Sequence, residues 1–348
     1  MTPEDNTGRP LVVATSPGFG PDDVGTRVLR AGGCTVVGAT VRRKVEEVRD
    51  MVSDADAVVV STDPFDGSVF QAAPRLRVIA RTGVGTDAID LAAATRAGVP
   101  VTTARGANEE TVADHTLALM LAAARRVPQN DAAVRLGEWK RGPLDYGCDL
   151  HGKTVGLVGL GMIGQAVAQR LRGFQVRLIA CRLSAVAPEG IALVTLDELL
   201  QLSDFISLSL PLTEKTVGFI GPREFSLMKP GAVLVNTSRG GLVDEASLVT
   251  ALKSGKLRAA ALDVFQNEPP KSSPLLELTN VVLSPHIAAL SPESVAALAQ
   301  RAANNVLSIL GGVVTQDVVN PDAFAHPRWA GKIKPAVMSQ ENWFPAQP

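Results

Sequence analysis

Three shortages bound what this chain of 348 residues can be. The first is charge bias. Lys and Arg number 34 against 35 Asp and Glu, a formal net charge of -1, so no long-range field draws the molecule to nucleic acid or to an anionic membrane. The second is cysteine. Cys34, Cys148 and Cys181 are odd in number and none stands in Cys-x-x-Cys spacing, which argues against a disulfide framework or a zinc site. The third is a long apolar run. Leu117 to Ala124 falls far short of the roughly 20 residues that span a bilayer, and Met1 to Pro10 lacks the basic and apolar regions of a secretory leader. Internal repeats and low-complexity stretches are missing as well. The expectation is a cytoplasmic protein with no nucleic-acid partner, no membrane partner and no metal.

What is present is an alternation of short apolar strands with helical segments. Apolar β-rich runs recur at Leu11 to Ala14, Cys34 to Val37, Ala57 to Val60, Val78 to Ala80 and Val99 to Thr102, with Asp22 to Ala31 and Asp90 to Ala97 among the helical stretches between them. A second series occupies Val155 to Val158, Val176 to Ala180, Phe205 to Leu208, Ala232 to Asn236, Ala259 to Leu262 and Val281 to Leu283. Each series predicts a parallel α/β sheet, and 46% hydrophobic residues can supply two cores. An apolar-rich helix over Glu109 to Arg126 carries the chain from the first sheet to the second. Another, capped at Ser291 with Pro292 at its first position, runs to about Leu310 and carries it back. The expected fold is α/β, with two Rossmann-like or flavodoxin-like parallel-sheet domains. Residues 1–106 plus 288–326 form a substrate domain, residues 107–287 a dinucleotide-binding domain inserted into it, and 327–348 a tail, either disordered or packed on a neighbouring surface.

The second series opens on Thr154-Val-Gly-Leu-Val-Gly-Leu-Gly-Met-Ile-Gly164, a strand that breaks into three spaced glycines and then a helix. A dinucleotide pyrophosphate needs that order. Gly159 permits the tight turn, Gly161 lets backbone approach the phosphates, Gly164 lets the helix pack on the strand, and the N–H groups at Met162 and Ile163 face the anion. The glycine spacing alone is a weak signal; the strand before it and the helix after it make it specific.

Downstream, three polar residues follow strand-like runs: Arg239 in Val235-Asn-Thr-Ser-Arg-Gly-Gly-Leu-Val-Asp244, Glu268 in Leu262-Asp-Val-Phe-Gln-Asn-Glu-Pro269, and His286 in Leu283-Ser-Pro-His-Ile-Ala-Ala289. Together with Gly83-Val-Gly-Thr-Asp-Ala-Ile-Asp90, Gly106-Ala-Asn-Glu-Glu-Thr-Val-Ala-Asp-His115, the glycine fingerprint and Pro211-Leu-Thr213, they make about residues 55–322 resemble the D-isomer-specific 2-hydroxyacid dehydrogenases. That family includes phosphoglycerate dehydrogenase and the hydroxypyruvate and glyoxylate reductases. The resemblance implies hydride transfer between a nicotinamide cofactor and a small 2-keto or D-2-hydroxy acid, in a cleft between domains whose closure excludes water. It also implies a homodimer through the nucleotide domains, with the Glu109 to Arg126 helix as a contributor.

The residue types fit that chemistry on their own terms. Reducing a 2-keto acid takes a cation for the carboxylate, a hydride donor on one face of the carbonyl, and an acid for the oxygen as charge develops. Arg239 offers a planar bidentate fork, and the backbone of Val84 and Gly85, in a glycine-bracketed turn, adds N–H donors to the same group. His286 is the proton donor in reduction and the base in oxidation, and Glu268 hydrogen-bonds its second ring nitrogen and fixes the tautomer. Formate dehydrogenases, which take no proton from a substrate hydroxyl, by resemblance carry Gln in place of Glu268. Singly, an Arg after a strand or a Ser-Pro-His turn is more often plain structure; their joint arrival behind the fingerprint carries the assignment. Of the other histidines, His115 lies in an apolar helix and is expected to satisfy a local hydrogen bond, while His151 and His326 stand in a polar approach and in the tail.

Two departures from the family pattern bear on ligand choice. Domains that prefer NAD end their second strand on an acidic residue for the adenosine ribose, whereas Arg182 stands there in this chain, 18 residues after Gly164. NADP(H) is therefore favoured, with Arg182 pairing the 2′-phosphate and Ser184 as a second ligand. The alternative is an Arg182 that faces solvent or stacks on adenine while NAD(H) binds. By resemblance, phosphoglycerate dehydrogenases carry Arg where this chain has Val60. Arg81 and Arg105 are the substitute cations, though such residues more often serve a surface or structural ion pair. Hydroxypyruvate or glyoxylate is thus slightly favoured over 3-phosphoglycerate, which stays the alternative. Motif position places Pro211, Leu212 and Thr213 over the ribose and Thr237 and Ser238 beside Arg239. It has Asp263 accept from the nicotinamide carboxamide, unless Asp263 is a strand-end turn residue. A reading of another class also stands: a non-catalytic nucleotide sensor, like the corepressors of the C-terminal-binding-protein type. Turnover separates the two.

Overall fold

In the computed structural model, which describes residues 8–41, 44–139, 141–143, 146–181 and 188–334, one α/β unit is interrupted in sequence by another. The first comprises residues 1–107 and 292–348, the second residues 108–291. In the first, β1 (Leu11–Ala14), α1 (Val24–Ala31), β2 (Thr35–Gly38), α2 (Val45–Val52), β3 (Ala57–Val60), α3 (Gly67–Ala72), β4 (Val78–Arg81), α4 (Leu91–Arg96) and β5 (Val101–Thr102) alternate along the chain. The strands form one parallel sheet in the order β2-β1-β3-β4-β5, the flavodoxin-like arrangement. The central β3, Ala-Val-Val-Val, is buried throughout, as a strand covered on both faces must be. Asp66 and Asp90 start α3 and α4 by accepting from the Ser68 and Ala93 amides.

The second unit opens with α5 (Glu109–Arg125) and α6 (Val127–Arg135). It continues through β6 (Thr154–Val158), α7 (Met162–Leu171), β7 (Arg177–Cys181), β8 (Ile191–Leu193), α8 (Leu196–Leu202), β9 (Phe205–Leu208), α9 (Pro222–Leu227), β10 (Ala232–Asn236), α10 (Glu245–Lys253), β11 (Leu257–Leu262) and β12 (Val281–Leu283). Its seven strands are parallel in the order β12-β11-β10-β9-β6-β7-β8. Because β6 has β7 on one side and β9 on the other, the connections reverse there, and the carboxyl ends of the strands beside such a switch point are where open α/β sheets bind ligands. Leu119 and Met120 of α5 and Val167 and Leu171 of α7 cover one face; Leu199, Leu200, Leu248 and Leu252 of α8 and α10 cover the other.

The chain returns to the first unit through α11 (Pro292–Leu310), whose Leu298, Ala302, Val306 and Ile309 are buried against α1, β3 and β4. Part of the expected tail is packed structure. Trp329 is 3% exposed and its indole donates to the Gly98 carbonyl at 2.7 Å, while Arg328 donates to the carbonyls of Leu76 and Ala97 at 2.8 and 3.1 Å. Among the elements not named from the sequence are β8, a three-residue edge strand, and the helices α2, α3, α6, α8, α9 and α10. Within its own unit α5 buries Val112, Leu119, Met120 and Ala123. Large apolar side chains stand exposed further along instead, at Val127, Val134, Leu136, Trp139 and Tyr146. Among the described residues no helix is long and apolar enough to cross a membrane.

Candidate active site

The fingerprint glycines divide their work by space. Gly159, at the end of β6, has φ +96°, a left-handed conformation that a side chain resists. A Cβ on it would run into the Ser209 carbonyl, and one on Gly164 into the carbonyl of Gly159. Gly161, by contrast, has nothing within 4 Å of its Cβ position and caps α7, which starts at Met162. The cradle thus fits a pyrophosphate: open at Gly161, closed behind it, with the first helical amides of Met162 and Ile163 at its rim. Arg182 and Ser184, expected at the adenosine end, lie outside the described residues. Pro211 and Thr213 are exposed beyond the end of β9, in a turn closed by Thr216 Oγ1, which takes the Thr213 amide at 2.7 Å and donates to the Pro211 carbonyl at 2.8 Å.

At the end of β10, Asn236 is 1% exposed and organises the loop that carries Arg239. Its Nδ2 donates to the Arg239 carbonyl at 2.9 Å and its Oδ1 takes the Ser238 amide at 3.0 Å. Any Cβ on Gly240 would overlap the Phe265 backbone, so only glycine lets this loop seat directly on the next one. That next loop, after β11, carries Glu268, whose Oε1 takes the Phe265 amide at 3.1 Å. His286 follows β12 with φ +55°, a left-handed conformation that costs a non-glycine residue about 1–3 kcal/mol unless its surroundings hold it.

Asp263 is what holds it. Its Oδ1 takes the Ile287 amide at 2.9 Å and the Ser284 hydroxyl at 2.6 Å, and its Oδ2 takes the Ala288 amide at 2.8 Å. The Asp263 carbonyl takes the His286 amide at 2.8 Å. The second unit runs through Ser291. The Asp263 side chain is 0% exposed. Thr237 and Ser238 are constrained too. The Ser238 hydroxyl donates to the Leu210 carbonyl at 3.0 Å, and Thr237 Oγ1 lies 2.8 Å from Thr116 Oγ1. The Thr116 hydrogen goes to the Val112 carbonyl at 2.7 Å, so the Thr237 hydroxyl must donate to Thr116 and, like Ser238, can only accept from a ligand.

The three polar residues picked from the sequence converge on one pair and its charge partner. His286 Nδ1 lies 2.7 Å from Glu268 Oε2, and the two side chains are 39% and 36% exposed. A carboxylate only accepts, so Nδ1 carries the hydrogen and Nε2 is the nitrogen left to exchange a proton with a ligand. Burial pushes the Glu268 carboxyl up, but the hydrogen bond and charge of His286, the Phe265 amide and the charge of Arg239 outweigh it and hold the group below its ordinary range. The sign follows. A carboxyl whose folded value is lowered stabilises the fold above its unfolded value of 4.5 and loses that contribution as pH falls through the folded value. Wild type and Glu268→Gln are therefore expected to differ in melting temperature near neutral pH and to converge only as pH falls through the lowered folded value of the carboxyl. A gap of equal size at both ends would remove the ionised pair from this account.

Val84 and Gly85 belong to the first unit. Val84 is exposed, and among the described residues neither amide has a hydrogen-bond acceptor. Sequence reasoning missed Asn236 and Ser284, although both stand inside the quoted motifs, and it misread His115. That residue makes no local bond: its Nε2 lies 3.0 Å from Ser284 Oγ, 169 residues away, and 3.5 Å from Asp263 Oδ1.

Comparison with known proteins agrees with this geometry. The family model for the NAD binding domain of D-isomer specific 2-hydroxyacid dehydrogenases matches residues 117–288. A glyoxylate reductase of Korarchaeum cryptofilum is 45% identical over 282 residues, covering 78% of this chain and 85% of that protein. A D-3-phosphoglycerate dehydrogenase of Methanocaldococcus jannaschii is 42% identical over 302 residues, 85% of this chain but only 57% of that protein, so this chain spans little more than half its length. Among solved structures, an NADPH-dependent glyoxylate/hydroxypyruvate reductase from Sinorhizobium meliloti, in complex with NADP and malonate, matches with a TM-score of 0.77 at 29% identity, covering 90% of this chain and 97% of that one.

Proposed function

Because the chain belongs to the D-isomer-specific 2-hydroxyacid dehydrogenases, oxidoreductases that act on CH–OH donors with a nicotinamide dinucleotide, we propose that it reduces a small unphosphorylated 2-keto acid, glyoxylate or hydroxypyruvate, with NADP(H) preferred. The observation that carries the reading is the His286–Glu268 pair at 2.7 Å, with Glu268 on the loop against which the Arg239 loop seats. The bound dinucleotide supplies the hydride to the carbonyl carbon. His286 Nε2 gives the carbonyl oxygen its proton and regains one from water; in oxidation it takes the hydroxyl proton. Glu268 keeps the opposite ring nitrogen occupied, so the proton is exchanged at Nε2 alone. Arg239 pairs the substrate carboxylate, and by resemblance the backbone of Val84 and Gly85 serves substrate binding as well. Met162, Ile163 and the open face at Gly161 hold the pyrophosphate, while Thr213, Thr237 and Ser238 contribute hydroxyl lone pairs along the ribose and nicotinamide side.

The choice of an unphosphorylated acid is supported by Val60, which is 1% exposed at the end of β3 and offers no cation. NADP(H) is supported by Arg182, the residue that follows Cys181 in the sequence, and by the bound NADP in the Sinorhizobium relative. The exposed apolar residues from Val127 to Tyr146 support a homodimer, and sedimentation that returned only the 36.4 kDa chain would remove it. NADH and NADPH, each offered glyoxylate, hydroxypyruvate, pyruvate and phosphohydroxypyruvate, test the whole reading. The expected result is oxidation of NADPH with the first two, and a swing toward NADH in Arg182→Asp. A preference for phosphohydroxypyruvate would replace the substrate, an unmoved NADPH preference would reject the role of Arg182, and no oxidation with any acid would favour a nucleotide-sensing binding protein.

A further inference from the structure

We propose that His115 and Thr116, consecutive residues of α5, are positioning residues for the reaction, one steadying the turn that carries His286 and the other the loop that carries Arg239. The inference rests on the dehydrogenase reading and adds to it two residues that touch neither substrate nor cofactor.

The hydrogen bonds have a determined direction. Ser284 Oγ owns one hydrogen and gives it to Asp263 Oδ1 at 2.6 Å, so toward His115 Nε2 at 3.0 Å it can only accept. His115 therefore donates, and its Nε2 also stands 3.5 Å from Asp263 Oδ1. The ring thus steadies the Ser284 hydroxyl and, beside it, the Asp263 carboxylate, which collects the amides of Ile287 and Ala288. Those amides follow directly on His286, whose backbone is left-handed and would relax without them. One residue further on, the fully buried Thr116 accepts from Thr237 at 2.8 Å, two positions before Arg239. The two loops leave neighbouring parts of the sheet, with β10 beside β11 and β11 beside β12, and α5 packs on all three strands. A helix filling space over these strands needs only apolar side chains there, and α5 supplies them at Leu119, Met120 and Ala123. At the strand ends it presents a donor and an acceptor instead, each matched to a loop that bears a reacting group.

The test compares His115→Leu, His115→Gln and Ser284→Ala, alone and combined, in the full-length chain. Gln places an amide nitrogen near the position of Nε2. Misplacing a reacting group by about 1 Å can cost up to about 100-fold, so His115→Leu is expected to lower kcat by about 10- to 100-fold. Nucleotide Kd and melting temperature should stay close to wild type, and His115→Gln should restore most of the rate. If His115 acts through Ser284, the double variant His115→Leu/Ser284→Ala is no slower than the slower single one. Thr116→Val is expected to raise KM for the keto acid more than it lowers kcat, and Thr116→Ser to reverse that. An unchanged kcat in His115→Leu overturns the proposal. So does a loss that Gln does not rescue and that tracks melting temperature and nucleotide affinity, or a double variant whose losses multiply. A wild type that turns over no 2-keto acid overturns both this inference and the dehydrogenase reading, whereas an active wild type with an unmoved His115→Leu overturns this inference alone.

Discussion

His286→Ala is expected to lower kcat for 2-keto acid reduction by about 10²- to 10⁴-fold, the range that a positioned general acid contributes, with nucleotide affinity unchanged. That loss corresponds to about 3–5 kcal/mol of barrier. The separation from nucleotide binding follows from topology. His286 leaves β12 at one edge of the sheet, and the glycine cradle leaves β6, with β11, β10 and β9 between them. A backbone control is needed because alanine is less at ease than histidine at φ +55°. His286→Asn supplies it: asparagine tolerates the left-handed region but has no group that can release a proton at neutral pH. Equal loss in the two variants assigns the effect to the missing imidazole. Recovery in the Asn variant would assign it to the turn. A near-native rate in either would place the proton donor elsewhere. The measurement is steady-state oxidation of reduced cofactor, with nucleotide Kd from fluorescence titration as the companion reading.

The residues proposed to react could be picked from the sequence because each sits in a short motif directly after an apolar run, and such runs are the part of a parallel sheet that sequence displays best. Ala57 to Val60, Phe205 to Leu208, Ala232 to Asn236 and Val281 to Leu283 appear as strands with the bounds read from their hydrophobicity, since strands covered on both faces carry an uninterrupted apolar signal. Elements with weaker burial escaped. The residues of β8 alternate in exposure over only three positions, and α6 has no buried residue, so neither carries a periodic pattern. The support of the site was hidden for a different reason. His115 and Ser284 are 169 positions apart, and no local pattern in either segment names the other as its partner. The same holds for Asp263. Nothing local in the sequence shows that the aspartate after β11 collects the amides of Ile287 and Ala288, 24 and 25 positions further on.

Arg239 is the second residue whose replacement should be costly, and the argument concerns the substrate's charge rather than its carbonyl. The loop under it is fixed at three points: the Asn236 amide on its carbonyl, Ser238 on the Leu210 carbonyl, and Gly240 against the Phe265 backbone. The guanidinium is itself tethered by NH1 to the Ser238 carbonyl at 2.7 Å. A planar fork held this way can meet a carboxylate along two parallel hydrogen bonds, which a lysine cannot reproduce. Removing one partner of a desolvated charge pair costs about 2–5 kcal/mol, so Arg239→Ala is expected to lower kcat/KM for a 2-keto acid by about 10²- to 10³-fold. Arg239→Lys should recover only part of that, because it restores the charge without the fork. The Arg239 charge also helps to hold the Glu268 carboxyl low, so its loss relaxes that carboxyl upward and weakens the partner of His286 in moderately acidic solution. A rate measurement on the acid alone would mix the two effects. Comparing a 2-keto acid with its methyl ester separates them, since the ester keeps the carbonyl chemistry and lacks the charge that Arg239 pairs. In the wild type the acid should be strongly preferred, and in Arg239→Ala that preference should collapse while the ester rate changes little. If the acid-to-ester ratio survives the substitution, the carboxylate is held by another group and Arg239 serves the Glu268–His286 pair alone.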